Sequence, residues 1–370
     1  MSRPINELAR PSILEIKPYF PGKPIEEVER ELGLTDVIKL ASNENPLGPS
    51  PQAVAAIKKA AEKVNFYPDS NCFYLKENLA KYLGIDPGML IIGNGSDELL
   101  KLIAEAFLNE GEEVICGNPS FSEYDFVTQI MAGKMIQVPL QNLTYDLRSI
   151  ADRITPSTKL IFICNPNNPT GTMVTCQEVE EFMQRVPDDV LVIFDEAYYE
   201  YVTDPKFPDS LKYIRQGRRV IVLRTFSKIY GLAGLRVGYG IATPDIIDCL
   251  MRVREPFNVN SIAQAGALAG LADQDWIKQA KEVNAQGRDY LYRELAAMDL
   301  DYAPTQGNFM FINVKTAGVE VGQRMMQAGV IVRPGNIFGY PEYIRVTIGT
   351  KEQNERFIKV LRQVLTELKG

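Results

Sequence analysis

One lysine opens the chemical question. In Arg224-Thr-Phe-Ser-Lys228-Ile-Tyr-Gly-Leu-Ala-Gly-Leu-Arg236-Val-Gly-Tyr it sits in a small-residue, glycine-rich loop directly after an apolar run. Apolar crowding strips water from an ammonium and favours the neutral amine, which can attack a carbonyl to form a Schiff base. From this segment alone, a lysine that merely ends a strand reads equally well. The balance turns on what stands at the ends of other apolar runs. Residues 190–194 lead into Asp195-Glu196-Ala-Tyr198, so a carboxylate emerges where ligands sit in an open α/β sheet. Asp195 can keep a pyridine nitrogen protonated, although an acid after a strand is also an ordinary helix cap. Residues 159–164 lead into Asn165-Pro-Asn-Asn168-Pro-Thr-Gly171, a rigid turn by its Asn, Pro and Gly density, and Asn168 and Tyr198 can both donate to a ring oxygen. These are the companions a pyridoxal phosphate (PLP) Schiff base needs.

An anion cradle accompanies them. Gly93-Asn-Gly95-Ser96-Asp97-Glu98 leads from a short apolar run into a helix, whose free N–H groups at Ser96 and Asp97 can hold a phosphate. Thr225, Ser227 and Arg236 can complete it with hydroxyls and a bidentate guanidinium. Neither GxGxxG nor GxxxxGK[ST] occurs, which removes the main warrant for dinucleotide and nucleoside-triphosphate folds. Phe121 can stack on a ring, though an aromatic after a turn is commonly core. Arg333 and Arg345 each interrupt a β-rich apolar stretch, and a buried guanidinium needs a carboxylate or phosphate from protein or substrate.

The elements that must position these groups follow from length and pattern. At 370 residues the chain exceeds a single core, and 45% apolar with 24% charged residues excludes disorder and coiled coil. Forty Lys and Arg against 47 Asp and Glu give a net charge of −7 with interspersed signs, so nucleic acid and anionic membrane are not expected partners. The absence of histidine excludes His-based triads, dyads and metal sites. Five scattered cysteines without a CxxC pair read as reduced thiols, and no signal-like or membrane-spanning run occurs, so a cytoplasmic location is expected. Strands are expected at 113–116, 134–139, 159–164, 190–194, 220–225 and 237–241, alternating with helices as in a parallel βαβ sheet. Helices are expected at 51–64 and at 96–108, the latter capped by Ser96. Past residue 256 the pattern changes to helices at 261–272 and 275–298, strands at 309–314, 330–333 and 343–348, and a closing helix from 351 to 368. The expected organisation is an arm (1–35), a large α/β domain (36–255) and a smaller α+β domain (256–370), with the site in the cleft between the two domains.

The motifs resemble those of the histidinol-phosphate aminotransferases, fold-type-I PLP enzymes of the aspartate aminotransferase superfamily. The likeness runs from Lys17-Pro-Tyr19 through Leu40-Ala-Ser-Asn43-Glu-Asn-Pro-Leu-Gly, Phe66-Tyr67-Pro-Asp, the NPNNPTG turn and Asp195-Glu-Ala-Tyr198 to the lysine loop and Arg345-Val-Thr-Ile-Gly-Thr350. It implies a mostly parallel central sheet with a smaller C-terminal domain. It further implies Lys228 as the imine lysine and proton shuttle, Asp195 on the pyridine nitrogen, and Asn168 with Tyr198 on the ring oxygen. Ser96, Asp97, Thr225, Ser227 and Arg236 would bind the cofactor phosphate, and Phe121 would stack where some relatives have Tyr. A homodimer is implied, in which Tyr67 reaches the neighbouring subunit's phosphate, while Tyr19, Asn43, Arg333 and Arg345 serve the substrate.

The implied reaction is a ping-pong transfer between glutamate/2-oxoglutarate and L-histidinol phosphate/imidazole-acetol phosphate. Two rival readings share the scaffold: an aromatic amino-acid aminotransferase and a PLP-dependent decarboxylase. A PLP-sensing regulator would carry a DNA-binding domain ahead of this fold, and no basic helix-turn-helix precedes residue 36.

Overall fold

The structure, a computed structural model, describes residues 4–18 and 22–369. Its central sheet has seven strands in the spatial order Leu90–Gly93, Gly238–Ile241, Val220–Thr225, Leu191–Asp195, Thr158–Cys164, Glu113–Asn118 and Lys134–Pro139. Most of their residues are buried, as continuous apolar runs between two helical layers should be. The sheet is mostly parallel, and the exception is Gly238–Ile241, which runs antiparallel to both neighbours. Expected among the parallel strands, that run turns back because residues 226–237 hold only the short 3-10 turn Ala233–Leu235 and no crossover helix. Leu90–Gly93, legible in the sequence only as a short apolar run, is the edge strand beside it.

A second, three-stranded antiparallel sheet orders Arg333–Pro334, Tyr343–Thr347 and Phe309–Asn313. Its apolar face packs on the helices Gln274–Ala297, Gly318–Gln327 and Lys351–Glu367 around Leu291, Met310, Val321, Val346 and Phe357. The expected strand 330–333 divides in two: Val330–Ile331 pairs in parallel with Ile38–Lys39, and only Arg333–Pro334 joins the antiparallel sheet.

Two packing facts cut across the expected boundaries at 36 and 256. Leu40 lies in the C-terminal core, so residues 38–40 pack with the C-terminal elements. Conversely, Ala263, Ala267 and Leu271 of the helix Ser261–Ala272 lie in the larger core. The helix Gln274–Ala297, 24 residues and so about 36 Å long, links the two cores, with Ile277 and Ala280 in the first and Leu291 and Leu295 in the second.

Local signals account for the helix starts. Ser50 caps Pro51–Ala61 by accepting from Ala53 N at 3.1 Å, and Thr350 with Gln353 forms a capping box ahead of Lys351–Glu367. Among the described residues, no helix is long and apolar enough to cross a membrane, and all five cysteines are free thiols.

Candidate functional site

The C-terminal ends of the parallel strands assemble the site. Cys164 lies opposite Asp195, and Asp195 opposite Leu223, so the NPNNPTG turn, the Asp195–Tyr198 segment and the lysine loop leave the sheet side by side. The lysine loop is held close to the body at Gly231, whose φ is +68° and where a Cβ would lie 2.3 Å from Gly48 O; only glycine fits. Lys228 is half-buried, with Nζ 5.6 Å from the centre of the Tyr198 ring. Burial, aided by the positive charge of Arg345, lowers its amine from 10.5 to about 8, which makes a neutral amine accessible near neutral pH.

Asp195 is 3% exposed at the end of its strand. Tyr124 donates to Oδ2 at 2.8 Å and Ala197 N–H to Oδ1 at 3.2 Å, and no cation is hydrogen-bonded to it among the described residues. Burial pushes the carboxyl up to about 6, the Tyr124 bond pulls it down, and the charges of Asp97 and Lys228 act in opposite senses. A buried carboxylate held by two neutral donors is suited to a cationic ring nitrogen.

Asn43, Asn168, Tyr198 and Arg345 lie close together. Asn43 Nδ2 donates to the Tyr198 phenol oxygen at 3.1 Å, which leaves the phenol O–H to donate elsewhere. Asn168 Oδ1 accepts from Arg345 Nη1 at 2.5 Å, leaving the Asn168 amide N–H groups for another acceptor. Arg345 also donates to Ala41 O at 2.8 Å. Asn43 holds a left-handed φ of 57° and is tied down by Thr347 Oγ1, which accepts from its N–H at 2.9 Å, and by Asn308, which donates to its carbonyl at 3.0 Å. Arg333 and Arg345 are directly opposite in antiparallel register, and like charges so placed favour an anion between them.

The cradle is real in space, with one change. The helix spans Gly95–Phe107 with Asn94 as N-cap and no side-chain cap, so Ser96, expected as the cap, lies inside the first turn. Its N–H groups are correspondingly open to an anion. Gly95 has φ +84°, and a Cβ there would lie 2.7 Å from Arg236 Nη2; a Cβ on Gly238 would lie 2.8 Å from Ser96 N. Arg236 Nη2 pairs with Asp97 Oδ2 at 2.8 Å, and Nη1 lies 3.5 Å from Ser227 Oγ. Both partners of that ion pair are about half exposed, so it orients the guanidinium more than it stabilises the fold. The Asp97 side chain therefore aims Arg236, a role beyond the backbone amide expected of it. Thr225 Oγ1 accepts from Ser227 N at 3.0 Å, fixing the other wall.

Phe121 is half-buried and meets Tyr124 edge-on at 5.8 Å. Tyr67 is 83% exposed and stacks on Phe257 at 4.8 Å, and it has no hydrogen bond to the cradle residues among the described residues. Tyr19 lies outside the described residues. Sequence reasoning missed two groups. Tyr124 reads as the buried stripe of an amphipathic helix, and nothing local links it to an acid 71 residues on. Arg224 is buried in its strand, donates from Nε and Nη2 to Glu196 Oε2 at 3.0 and 2.8 Å, and stacks on Tyr199 at 3.5 Å. The available signal was Arg224 near the end of one apolar strand and a second acid, Glu196, directly after Asp195 at the end of its neighbour.

Against known proteins, the family model for aminotransferase class I and II matches residues 35–361. The histidinol-phosphate aminotransferase of Moorella thermoacetica is 56% identical over 96% of this chain and 92% of its own. That of Caldicellulosiruptor saccharolyticus is 49% identical over 96% and 99%. Among solved structures, histidinol-phosphate aminotransferase from Sinorhizobium meliloti in complex with pyridoxal-5'-phosphate superposes with a TM-score of 0.89 at 28% identity, covering 97% of each chain. An aspartate aminotransferase from Thermus thermophilus, at 22% identity and TM-score 0.81, shares the fold.

Proposed function

The chain belongs to the class I and II aminotransferases, and on that premise we propose that it is a PLP-dependent transaminase acting between glutamate/2-oxoglutarate and L-histidinol phosphate/imidazole-acetol phosphate. The single observation that carries the cofactor reading is the presence, at neighbouring strand ends, of Lys228, an amine lowered to about 8, and Asp195, a buried carboxylate to which no cation is hydrogen-bonded among the described residues. The residues fit the group. The cradle that a Cβ on Gly95 or Gly238 would fill has the N–H donors, hydroxyl and guanidinium of a phosphate site, and Tyr198 and Asn168 keep donors free for a ring oxygen.

When bound, pyridoxal phosphate supplies an aldehyde for the substrate amine and a ring that withdraws electrons from the Cα–H bond. The protein's residues do the rest. Lys228 Nζ, whose lowered amine is deprotonated far more readily than an ordinary lysine's, would take the proton from the substrate's Cα and pass it to the cofactor's imine carbon, and would run the same transfer in reverse in the second half of the cycle. Asp195 would accept from the protonated ring nitrogen, and Phe121 would lie against the ring. Arg345 and Arg333, opposed across two strands, anchor the carboxylate of glutamate or the phosphate of the other substrate, which sets the Cα–H bond for transfer to Lys228.

The proposal includes a homodimer in the cytoplasm. Val64, Phe66, Tyr67, Phe73, Tyr74 and Phe257 are all exposed large apolar side chains, an excess that a second copy would cover, with Tyr67 directed to its cradle. We retain the division into an arm, a larger α/β unit and a smaller α+β unit, with residues 38–40 attached to the last and the helix Ser261–Ala272 to the larger.

The test is a half-reaction screen on the cofactor-loaded enzyme, following visible absorbance as each amine is added. Histidinol phosphate is expected to convert the cofactor at least about tenfold faster than phenylalanine. Equal or faster conversion by phenylalanine would assign the aromatic activity instead, and carbon dioxide release without an oxo-acid acceptor would assign a decarboxylase.

A further inference from the structure

Asp195 owes its orientation to a residue outside the cofactor contacts named above. Tyr124 is fully buried, and its ring lies flat on Phe162 at 4.7 Å with an interplanar angle of 4°. Phe121 makes a T-shaped contact with it at 5.8 Å and 88°, while Thr128 Oγ1 donates to the Tyr124 carbonyl at 2.7 Å. The ring cannot swing, so its O–H points along one line, to Asp195 Oδ2. Building on the cofactor reading above, we propose that Tyr124 is a positioning residue for Asp195: it fixes which carboxylate lone pairs face the cofactor's ring nitrogen and favours the ionised form. The same ring carries the edge contact from Phe121, so the residue that covers the cofactor and the residue that holds its nitrogen share one support.

The surroundings explain why such a donor is needed. The ionisable groups around Asp195 are Tyr124 on the helix Glu123–Ile130, Cys164 at the end of its neighbouring strand, Asp97 at the start of the helix Gly95–Phe107, Lys228 on its loop, and Tyr198 on its own segment. Burial raises the carboxyl above its ordinary value of 3.8, and the Tyr124 hydrogen bond is the largest influence that lowers it. Without that bond the neutral acid persists to higher pH. Affinity for a cationic ring is then lost from the acidic side upward.

The experiment measures the dissociation constant of pyridoxal phosphate from reconstituted apoprotein across pH. Tyr124→Phe keeps the stack on Phe162 and deletes one oxygen. It is expected to move the acidic limb up by about one unit, from near 6, so that binding weakens about tenfold at about pH 5, about twofold at neutral pH and hardly at all at alkaline pH. Loss that is equal at every pH would mark a packing defect and overturn the proposal, as would an unchanged profile. Should this variant not fold, Tyr124→fluorotyrosine keeps the ring and strengthens the donor; its limb is expected to move down, and an unmoved limb overturns the proposal. Asp195→Asn separates the two levels. If it binds the cofactor like the parent, the cofactor reading itself fails; if it is crippled while both Tyr124 variants match the parent, only the role of Tyr124 fails.

Discussion

Replacing Lys228 with methionine removes the amine, keeps most of the volume, and gives a result opposite to that of most core substitutions. Burial lowers the folded-state amine from 10.5 to about 8. That interval, at about 1.4 kcal/mol per pH unit, is about 3.4 kcal/mol, and the partial exposure of the side chain reduces it to about 1–2 kcal/mol. The sign follows from linkage. Below pH 8 the amine is protonated in both states and the folded state bears the whole cost of the buried charge. Between about 8 and 10.5 the unfolded chain binds the proton and the folded one does not, so stability rises with pH there and the cost fades. The cofactor-free Lys228→Met variant of this 370-residue chain should therefore be more stable than its parent at neutral pH, by about 1–3 °C in the unfolding midpoint, and nearly equal to it at alkaline pH. Its transaminase activity should be lost. Thermal unfolding of the two apoproteins at neutral and alkaline pH is the assay. A variant less stable at neutral pH, or a gain that does not shrink as pH rises, would falsify the account of Lys228 as a desolvated amine.

Gly238→Ala should raise the cofactor dissociation constant by about tenfold or more, because the new Cβ meets backbone atoms of Ser96, Gly95 and Arg224 between 2.8 and 3.0 Å, and the start of the cradle helix must move; apoprotein titration by fluorescence reads it. Glu196→Ala leaves Arg224 buried without its carboxylate and should destabilise the protein by about 3–5 kcal/mol, seen as a lower urea midpoint. Arg345→Gln should raise the KM for glutamate about tenfold or more, and an unchanged KM would remove Arg345 from the substrate site. Replacing Phe66 and Phe257 with serine should shift the sedimentation coefficient toward that of a monomer, and an unchanged one would place the interface elsewhere.

What the residues alone determined is mostly local chemistry. Apolar runs that end in Asp195, Asn165-Pro-Asn-Asn168 and Thr225 had to be buried strands with polar ends, because period and turn composition act within a few residues. Pro51, pre-set for a first helical position, announced its helix for the same reason. The absence of histidine by itself narrows the catalytic options. Tertiary structure alone decided which distant groups meet. It reversed the direction of Gly238–Ile241, moved the helix Ser261–Ala272 into the larger core and Leu40 into the smaller one, and set Arg333 opposite Arg345. It also brought the Tyr124 phenol to Asp195 across 71 residues and turned Asp97 from an amide donor into the partner of Arg236. None of these is encoded in a period or a cap. Each depends on which apolar faces match once loops close, and on the cost of leaving a buried polar atom without its partner, and both are properties of the assembled molecule.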